Sequence, residues 1–225
     1  MERDPDNRLL ARGPRYRLDA EELRDSALYL GGFLNLTIGG HGVRPYQPPG
    51  IWEAVGYTTS NTAKYTQDHG HALNRRSLYI FWKRTAPPPS MTTFDAPSRE
   101  QCRARRERTD TPLQALLMLN DPQYFEAARH LGYRMLHEGG ANDVARLGYG
   151  FRLATARPPT GSEADVLADT LAAQRAHYEA DPEAAKKAVA VGESPVPNDV
   201  APTELAAYTM IANLILNLDE VVTKN

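Results

Sequence analysis

The chain has 225 residues, of which 41% are hydrophobic, 24% charged and 8% aromatic. This length can bury a core, and the composition is close to the globular average, which excludes wholesale disorder and collagen-like repeats. The formal net charge of −2 argues against nucleic acid as a partner, and the single cysteine excludes an internal disulfide framework and cysteine-rich zinc sites.

The two ends of the chain bear on its location in the cell. Residues 1–17 carry charges throughout and lack the apolar stretch of a signal peptide. The uncharged apolar run at residues 205–218 is too short to span a bilayer. We therefore expect no export signal and no transmembrane segment in this chain. Because residues 8–12 read like the middle of a longer sequence, we also expect residues 1–225 to be a single C-terminal domain of a larger parent.

The first predicted element is an amphipathic helix within residues 18–40. Acidic residues lie at its expected start, where the helix dipole favours negative charge. Gly39 and Gly40 are expected to end it. Its apolar residues recur at near-helical spacing: Leu18, Leu23, Ala27, Leu30 and Leu34.

Residues 41–110 show little helical periodicity. The clusters at 48–50 (PPG) and 87–89 (PPP) break helices and favour turns or extended backbone. Between them, residues 77–82 (SLYIFW) are the best candidate for a strand, because aromatic and β-branched residues are frequent there. We therefore predict an irregular segment, rich in proline and aromatic residues, with one or two short strands.

From Thr111 onward the sequence predicts a series of helices, which makes the fold mainly α. Thr111 and Pro112, followed by Gln114, have the form of a capping box with proline in the first turn. The dipeptide at 121–122 (DP) repeats this start signal, and the glycines at 139–140 stop that helix. Further helices are expected, in chain order, over residues 143–156, 160–180, 181–191 and about 202–218.

Charge is distributed unevenly along the chain. Residues 75–108 carry a net charge of +6, whereas residues 160–225 carry −7. The arginines could form a site for phosphate, sulfate or carboxylate, which guanidinium groups bind through two parallel hydrogen bonds. Alternatively, they pair with the acidic helices and with the carbonyl oxygens at the C-terminal ends of helices. The near cancellation of the two charges favours this second interpretation.

Two local groups could carry reactive chemistry. His69 and His71 would share one face of a strand, and Asp68 could orient one of them toward a metal. No third ligand is evident, so a solvated loop is favoured. Cys102 lies among positive charges, which favour a thiolate. Because no histidine lies near it in the sequence to act as a base, a buried structural cysteine is favoured.

Carboxylates and aromatic side chains suggest a different chemistry, action on polysaccharide. Asp95, Glu100 and Glu107 could supply the paired carboxylates of a glycosidase, although nearby arginines favour salt bridges. Five aromatic side chains could stack on sugar rings if exposed, although their density favours a core. They are Trp52, Tyr57, Tyr65, Trp82 and Phe94.

Several runs of sequence together resemble one known family. They are residues 74–89 (NRRSLYIFWKRTAPPP), 90–99 (SMTTFDAPSR), 108–122 (RTDTPLQALLMLNDP), 43–52 (VRPYQPPGIW), 151–160 (FRLATARPPT) and 213–224 (NLILNLDEVVTK). The family is the planctomycete-specific domain of unknown function, and the resemblance covers nearly the whole chain. The chain departs from the family pattern at Asp110-Thr111, where Asn-Thr is expected, but an aspartate serves equally in a turn or cap.

The resemblance implies a context rather than a reaction. In this family the domain forms the C-terminal part of large proteins with cytochrome-c-like domains upstream. A location in the periplasm or cell envelope is therefore implied, with the upstream domains as partners. Haem c is expected only in those domains, because this chain lacks a Cys-x-x-Cys-His motif, and we expect no cofactor and no metal in the chain itself. The family supplies no catalytic residues to carry over.

The most family-like stretch is polar and irregular, the kind of segment where binding sites tend to lie. The sequence favours a non-enzymatic interaction or docking module that binds upstream domains or an anionic glycan. The alternative is part of an enzyme or binding protein acting on neutral or sulfated polysaccharide, with Asp95 or Glu107 as its carboxylate. The candidate residues for binding an anion or partner are Arg75, Arg76, Trp82, Lys83, Arg84, Asp95, Arg105, Arg106 and Arg108.

Overall fold

Helices form most of the structure, a computed structural model that describes residues 4–224 except residues 12, 14, 58 and 61. This confirms the mainly α fold class. None of the helices in the described part is long and apolar enough to cross a membrane. The helices are α1 (Ala20–Leu30), α2 (Pro89–Thr93), α3 (Pro112–Asn120), α4 (Pro122–Glu138), α5 (Asp143–Thr155), α6 (Gly161–Ala180), α7 (Pro182–Val189), α8 (Pro202–Leu216) and α9 (Asp219–Val222).

Helix α8 lies at the centre of the core. It has one charged residue, Glu204, in its first turn, and apolar residues on nearly every side, a pattern typical of a buried helix. It packs against α4, α6 and α7. At Gly132 of α4, a Cβ atom would lie 2.9 Å from the Tyr208 backbone, so the glycine permits the close approach of α4 and α8.

The predicted start signals place the later helices correctly. The Thr111 backbone N–H donates to the Gln114 side chain at 3.1 Å, which is half of the predicted capping box at the start of α3. The Asp121 carboxylate accepts the Gln123 backbone N–H at 2.9 Å at the start of α4. The predicted helices after residue 111 are all present, with ends within a few residues of those expected.

The first helix is shorter than predicted. It ends at Leu30 rather than near Gly39, because Gly32 has a φ of +80° and turns the chain away from the helix. Residues 33–40 are therefore not helical. The periodic apolar residue Leu34 belongs to the segment after the turn, where it lines the surface instead of the core.

The strand predicted over residues 77–82 is wrong. Residues 77–79 form a 3₁₀ turn, because the Asp25 carboxylate accepts both the backbone N–H and the hydroxyl of Ser77, at 2.7 and 2.6 Å. Pairing is limited to an isolated parallel bridge between Val43 and Ile80. The proline cluster, in turn, begins α2 at Pro89, since proline is tolerated in the first turn of a helix.

The two short strands of the described chain lie at its ends, where none was predicted. They are β1 (Tyr16–Arg17) and β2 (Thr223–Lys224). They pair antiparallel, with Tyr16 opposite Lys224. The Leu18 backbone N–H extends this contact by donating to the Val222 carbonyl at 2.9 Å. The start of α1 is thereby held beside the end of the chain.

Candidate functional site

The arginines of the basic segment hold parts of the structure together. Arg75 is buried and donates to the carbonyl oxygens of His41, at 2.7 Å, and of Gly39. Its guanidinium group lies 3.9 Å from the centre of the Tyr79 ring. The side chain therefore fastens the loop at residues 37–41 through its two Nη groups, which donate to protein carbonyls.

Three further arginines pair with acidic residues of α1 and its cap. Arg106 Nη1 lies 2.6 Å from Glu21 and 3.4 Å from Asp19, and Arg108 Nε lies 3.4 Å from the same Asp19. Hydrogen bonding to Glu21 raises the pKa of Arg106 above its ordinary value. Arg76 Nε lies 3.9 Å from an oxygen of Asp25.

These arginines therefore pair within the protein, as the favoured interpretation expects, but with the acids of α1 and its cap and not with those of the C-terminal residues. Among the described residues, no ion pair joins residues 75–108 to residues 160–224. The tail acids pair elsewhere, as when Arg175 contacts both Asp143 and Glu204 at 2.5 Å. Two segments with similar totals of opposite charge need not lie together in the fold. The attraction between individual charges is strong only where they are close.

The other candidate residues of the basic segment lie apart from one another. The Trp82 indole N–H donates to the Ser98 carbonyl at 3.1 Å. Lys83 Nζ donates to the Thr62 carbonyl at 2.7 Å. Arg84 and Arg105 are exposed, and within the described chain neither has a hydrogen-bond or ionic partner. The structure thus groups Arg76, Arg106 and Arg108 along α1 and leaves the rest apart.

The two carboxylates proposed for polysaccharide chemistry, Asp95 and Glu107, line one depression of about 220 Å³, but each is engaged by another group. Asp95 accepts a hydrogen bond from Arg17 Nη2 at 2.6 Å and from the Thr109 backbone N–H at 2.7 Å. It fastens the loop before α3 to β1. Glu107 is exposed and pairs with Arg103 at 3.0 Å.

The histidine and cysteine motifs lie on the surface. Cys102 is exposed, which corrects the expectation of a buried cysteine, because it lies in a turn-rich loop of polar residues. His69 Nδ1 lies 2.5 Å from Glu193, whereas Asp68 accepts the Arg44 backbone N–H at 2.7 Å and orients no histidine. In the described part of the chain, no group of three or more ligand side chains could hold a metal ion.

The aromatic side chains mostly belong to the interior. Trp52 is 2% exposed and packs edge-on against Tyr65, with 5.0 Å between ring centres. Phe94 is buried against Tyr124. Tyr57 is exposed. The arrangement agrees with a role of these aromatic residues in the core rather than in stacking on sugars. It does not bring the five residues to one surface.

A groove of about 860 Å³ runs along the exposed side of α1. Its main walls are α1 itself, the turn that carries Arg76 and Leu78, the end of α5 at Leu153, and the C-terminal residues 220–224. Leu34 and Arg106 also line it. The pairing of β1 with β2 holds the last of these walls against the start of α1. Residues far apart in sequence therefore build one surface.

Apolar side chains are unusually exposed along this groove. Tyr29 and Leu78 line it with 65% and 64% of their surface exposed. A second depression of about 400 Å³ shares Tyr29, Leu34 and Leu153 with the groove and continues it to Leu36, which is 63% exposed. A contiguous exposed apolar surface of this kind marks an interaction site in soluble proteins.

One side of the groove is acidic. Glu21, Glu22 and Asp25 follow one another along α1. Glu22 accepts the Asp19 backbone N–H at 3.0 Å, and in the described chain it pairs with no cation. Glu21 is shared with Arg106. The groove thus combines an apolar surface with a carboxylate able to bind an additional cation.

Sequence reasoning missed a buried charged network on α4. Glu126 accepts hydrogen bonds from the Tyr46 hydroxyl at 2.9 Å and from the Ser194 backbone N–H at 2.6 Å, and Arg129 lies 3.5 Å away. Burial, reinforced by Glu126, raises the pKa of Tyr46 well above its ordinary value, and burial lowers that of Arg129. The signal was present: two opposite charges three residues apart on an otherwise apolar helix face.

A small pocket lies beside this network. It measures about 190 Å³ and is lined by His71, Asn74, Glu126 and Glu193 among others. Its two carboxylates are engaged, Glu126 as described and Glu193 with His69 and Gln67. The network therefore fastens residues 193–195 to α4.

Comparison with known proteins gives one match. The model of a family described as PSD1, protein of unknown function (DUF1553), matches residues 1–171. No curated protein and no solved structure matches the chain.

Proposed function

The chain belongs to the PSD1 (DUF1553) family of proteins of unknown function, and from that premise we propose that it is a non-enzymatic docking module whose groove along α1 binds a protein segment. The observation that carries this proposal is the exposure of Tyr29, Leu78 and Leu36 along one continuous surface. Leaving three large apolar side chains in water has a cost that a bound partner would remove.

The chemistry of the groove defines its partner. The apolar surface accommodates leucine-like or aromatic side chains, and Glu22, which pairs with no cation among the described residues, favours a lysine or arginine on the facing side. The partner is thus an amphipathic, basic segment of protein. An anionic glycan fits this surface less well, since Arg76 and Arg106 in its lining are already paired with Asp25 and Glu21.

The family resemblance supports a specific source for that segment. Resemblance to the planctomycete-specific domain puts cytochrome-c-like and other domains before this one in a longer cell-envelope protein. We infer that one of those upstream domains supplies the segment. In that arrangement haem c belongs to the upstream domains, and this chain contributes binding only.

Action on polysaccharide has less support. It requires exposed aromatic rings and a pair of carboxylates, but Trp52 and Phe94 are buried and Asp95 is fully engaged by Arg17 and Thr109. Arg84 and Arg105 remain as exposed cations outside the groove.

Photocrosslinking tests the docking proposal. Tyr29 is replaced by p-benzoylphenylalanine in the full natural gene product, which is then irradiated in its own cells, and adducts are mapped by mass spectrometry. We expect adducts to upstream residues of the same polypeptide. The matched control carries the photoreactive residue at Val144, which is 75% exposed on α5 outside the groove, and should give few adducts. Equal yields at both positions, or adducts to carbohydrate at Tyr29, would contradict the proposal.

A further inference from the structure

The loop between α2 and α3 contains a stretch whose backbone is open to solvent. Residues 101–108 (QCRARRER), called the arginine loop below, form no helix or strand. All of them are exposed except Arg106, which is half-buried. Among the described residues, the backbone N–H and carbonyl groups of the arginine loop take part in no hydrogen bond. These groups are therefore available to another molecule.

Both ends of the arginine loop are fixed to the rest of the protein. Before it, the Trp82 indole N–H donates to the Ser98 carbonyl at 3.1 Å, and the Arg99 guanidinium group lies 4.8 Å from the centre of the Trp82 ring. After it, the Thr109 backbone N–H donates to the Asp95 carboxylate at 2.7 Å. A loop that is held at its ends and open in its middle can be presented to a partner while the domain stays folded.

One of the four arginines in the loop differs from the others in its contacts. Three are paired with carboxylates: Arg103 with Glu107, Arg106 with Glu21 and Arg108 with Asp19. Arg105 is exposed, and in the described part of the chain it has no hydrogen-bond or ionic partner. The loop therefore offers a single available guanidinium group on an open backbone.

This combination fits the cleft of a protease better than it fits a polyanion. A sulfated glycan or a nucleic acid binds through several cations at once, and most of the cations here are already paired. An endopeptidase that cleaves after arginine instead takes one arginine into its specificity pocket. An extended open backbone is what a cleft of this kind pairs with through main-chain hydrogen bonds.

We propose that the arginine loop is a processing site, cut between Arg105 and Arg106 by an endopeptidase that cleaves after arginine. The reaction is hydrolysis. The carbonyl carbon of Arg105 gains the hydroxyl group of water, its bond to the Arg106 nitrogen breaks, and the nitrogen gains the remaining hydrogen; the two new ends ionise to a carboxylate and an ammonium group. The pair of Arg106 with Glu21 lies at the surface and contributes little to stability, so it does not keep the bond out of a cleft.

The two fragments, residues 1–105 and 106–225, should stay together after the cut, because the fold is built from both. Helix α1 packs against α4, and β1 pairs with β2. The Arg24 side chain donates to the Gln123 side chain at 2.5 Å, across the two fragments. Processing at this loop therefore interrupts the chain and leaves the domain assembled.

Limited proteolysis of the purified chain with trypsin tests the exposure of this bond. We expect the first cut beyond residue 17 to follow Arg105, as shown by the masses of the fragments. The fragments should elute together in size-exclusion chromatography and separate only in urea. A first cut in another loop, or fragments that separate without denaturant, would overturn the proposal.

A pair of variants tests the role of Arg105. Arg105→Gln should slow cleavage of the bond after residue 105 by about 100-fold or more, since the pocket of the protease requires the charged side chain. The matched control is Arg84→Gln, which removes the other exposed arginine that has no partner in the described chain. This control should be cut after Arg105 at the original rate. Equal rates for the two variants would exclude Arg105 as the recognised residue.

Processing in the cell is tested on the full natural gene product in its own cells. Chemical labelling of free amino termini, followed by mass spectrometry, should identify a terminus that begins at Arg106. A chain that stays intact at residues 101–108 overturns the proposal. Protection of the loop from trypsin by heparin, together with an intact chain in the cell, would assign the loop to anion binding instead.

Discussion

Buried arginines in this protein crosslink backbone segments. Arg24 is 2% exposed and donates to the carbonyl oxygens of Arg75 and Leu73, at 2.7 and 2.6 Å, and to the Gln123 side chain. Burial, partly offset by Asp25, lowers the pKa of Arg24 to about 10, so the side chain stays charged at neutral pH. Three segments distant in sequence thereby meet at one guanidinium group, whose several donors suit this role.

His130 links burial to the pH dependence of stability. Its ring stacks on Phe33, with 4.1 Å between ring centres. Burial, reinforced by the positive charge of Arg129, lowers the pKa of His130 to about 4, against an unfolded value of 6.5. Between these two values the unfolded chain binds a proton that the folded chain does not. Stability therefore falls as the pH decreases from 6.5 toward 4.

We predict that this histidine makes the protein less stable at pH 5 than at pH 7.5 by about 2 kcal/mol. The variant His130→Gln lacks the titrating group and should lose that part of the pH dependence, although its stability at pH 7.5 also falls because the ring stacking is lost. The free energy of unfolding is measured with urea at both pH values. Since all other titrating groups are shared, equal pH dependence of the two proteins would exclude this role for His130.

At the scale of elements, two glycines differ in the space around them. One lies in a crowded turn and the other in a helix with open space beside it. Gly192, after α7, has a φ of +95°, and a Cβ atom there would overlap the Glu126 carboxyl group. Gly148 lies within α5, and a Cβ atom there would meet nothing within 4 Å. At position 192 the backbone conformation and the nearby Glu126 leave no room for a side chain. At position 148 a side chain would fit, and the glycine only lowers the stability of its helix.

We predict that Gly192→Ala lowers the free energy of unfolding by about 3 kcal/mol, because it strains the backbone and displaces a buried carboxylate. Gly148→Ala should raise the free energy of unfolding by about 0.5 to 1 kcal/mol through helix propensity. Urea denaturation of the two variants and the original chain measures both values. A Gly192→Ala protein as stable as the original would show that the Glu126 network does not restrict this turn.

The same scale shows which elements local sequence can predict. The start of α3 depends on Thr111 and Gln114, which lie within one turn of each other, so the pattern alone was sufficient. The turn at residues 77–79 depends on Asp25, which is 52 residues earlier. Its aromatic and β-branched composition favoured a strand, and a tertiary contact overrode that propensity.

At the scale of the whole molecule, the candidate site escaped prediction because no single segment contains it. The sequence points to the basic stretch at residues 75–108, and the structure brings only Arg76, Leu78 and Arg106 from that stretch into the groove. The other walls come from α1, the end of α5 and the C-terminal residues. A sequence pattern reports neighbours along the chain, whereas this surface is made by the packing of distant elements.

The end of the chain links stability to the groove. Residues 220–224 form one wall of the groove, and Val221 and Val222 pack partly buried against the core. The Val222 carbonyl also accepts the Leu18 backbone N–H at 2.9 Å, next to the β1–β2 pair. Removing this segment should therefore weaken the fold and open the groove together.

We predict that truncation after Leu218 keeps a single cooperative transition but lowers the Tm by roughly 5 to 10 °C, which corresponds to a loss of about 2 to 3 kcal/mol in a chain of this size. Photocrosslinking from position 29 should fall as well, because the partner loses one wall of its site. The control Lys187→Ala removes an exposed side chain of α7 outside the groove and should leave both measurements nearly unchanged. If the truncated chain lost stability but crosslinked as before, the C-terminal wall would have no part in docking, and the binding surface would be confined to α1 and the residues that follow it.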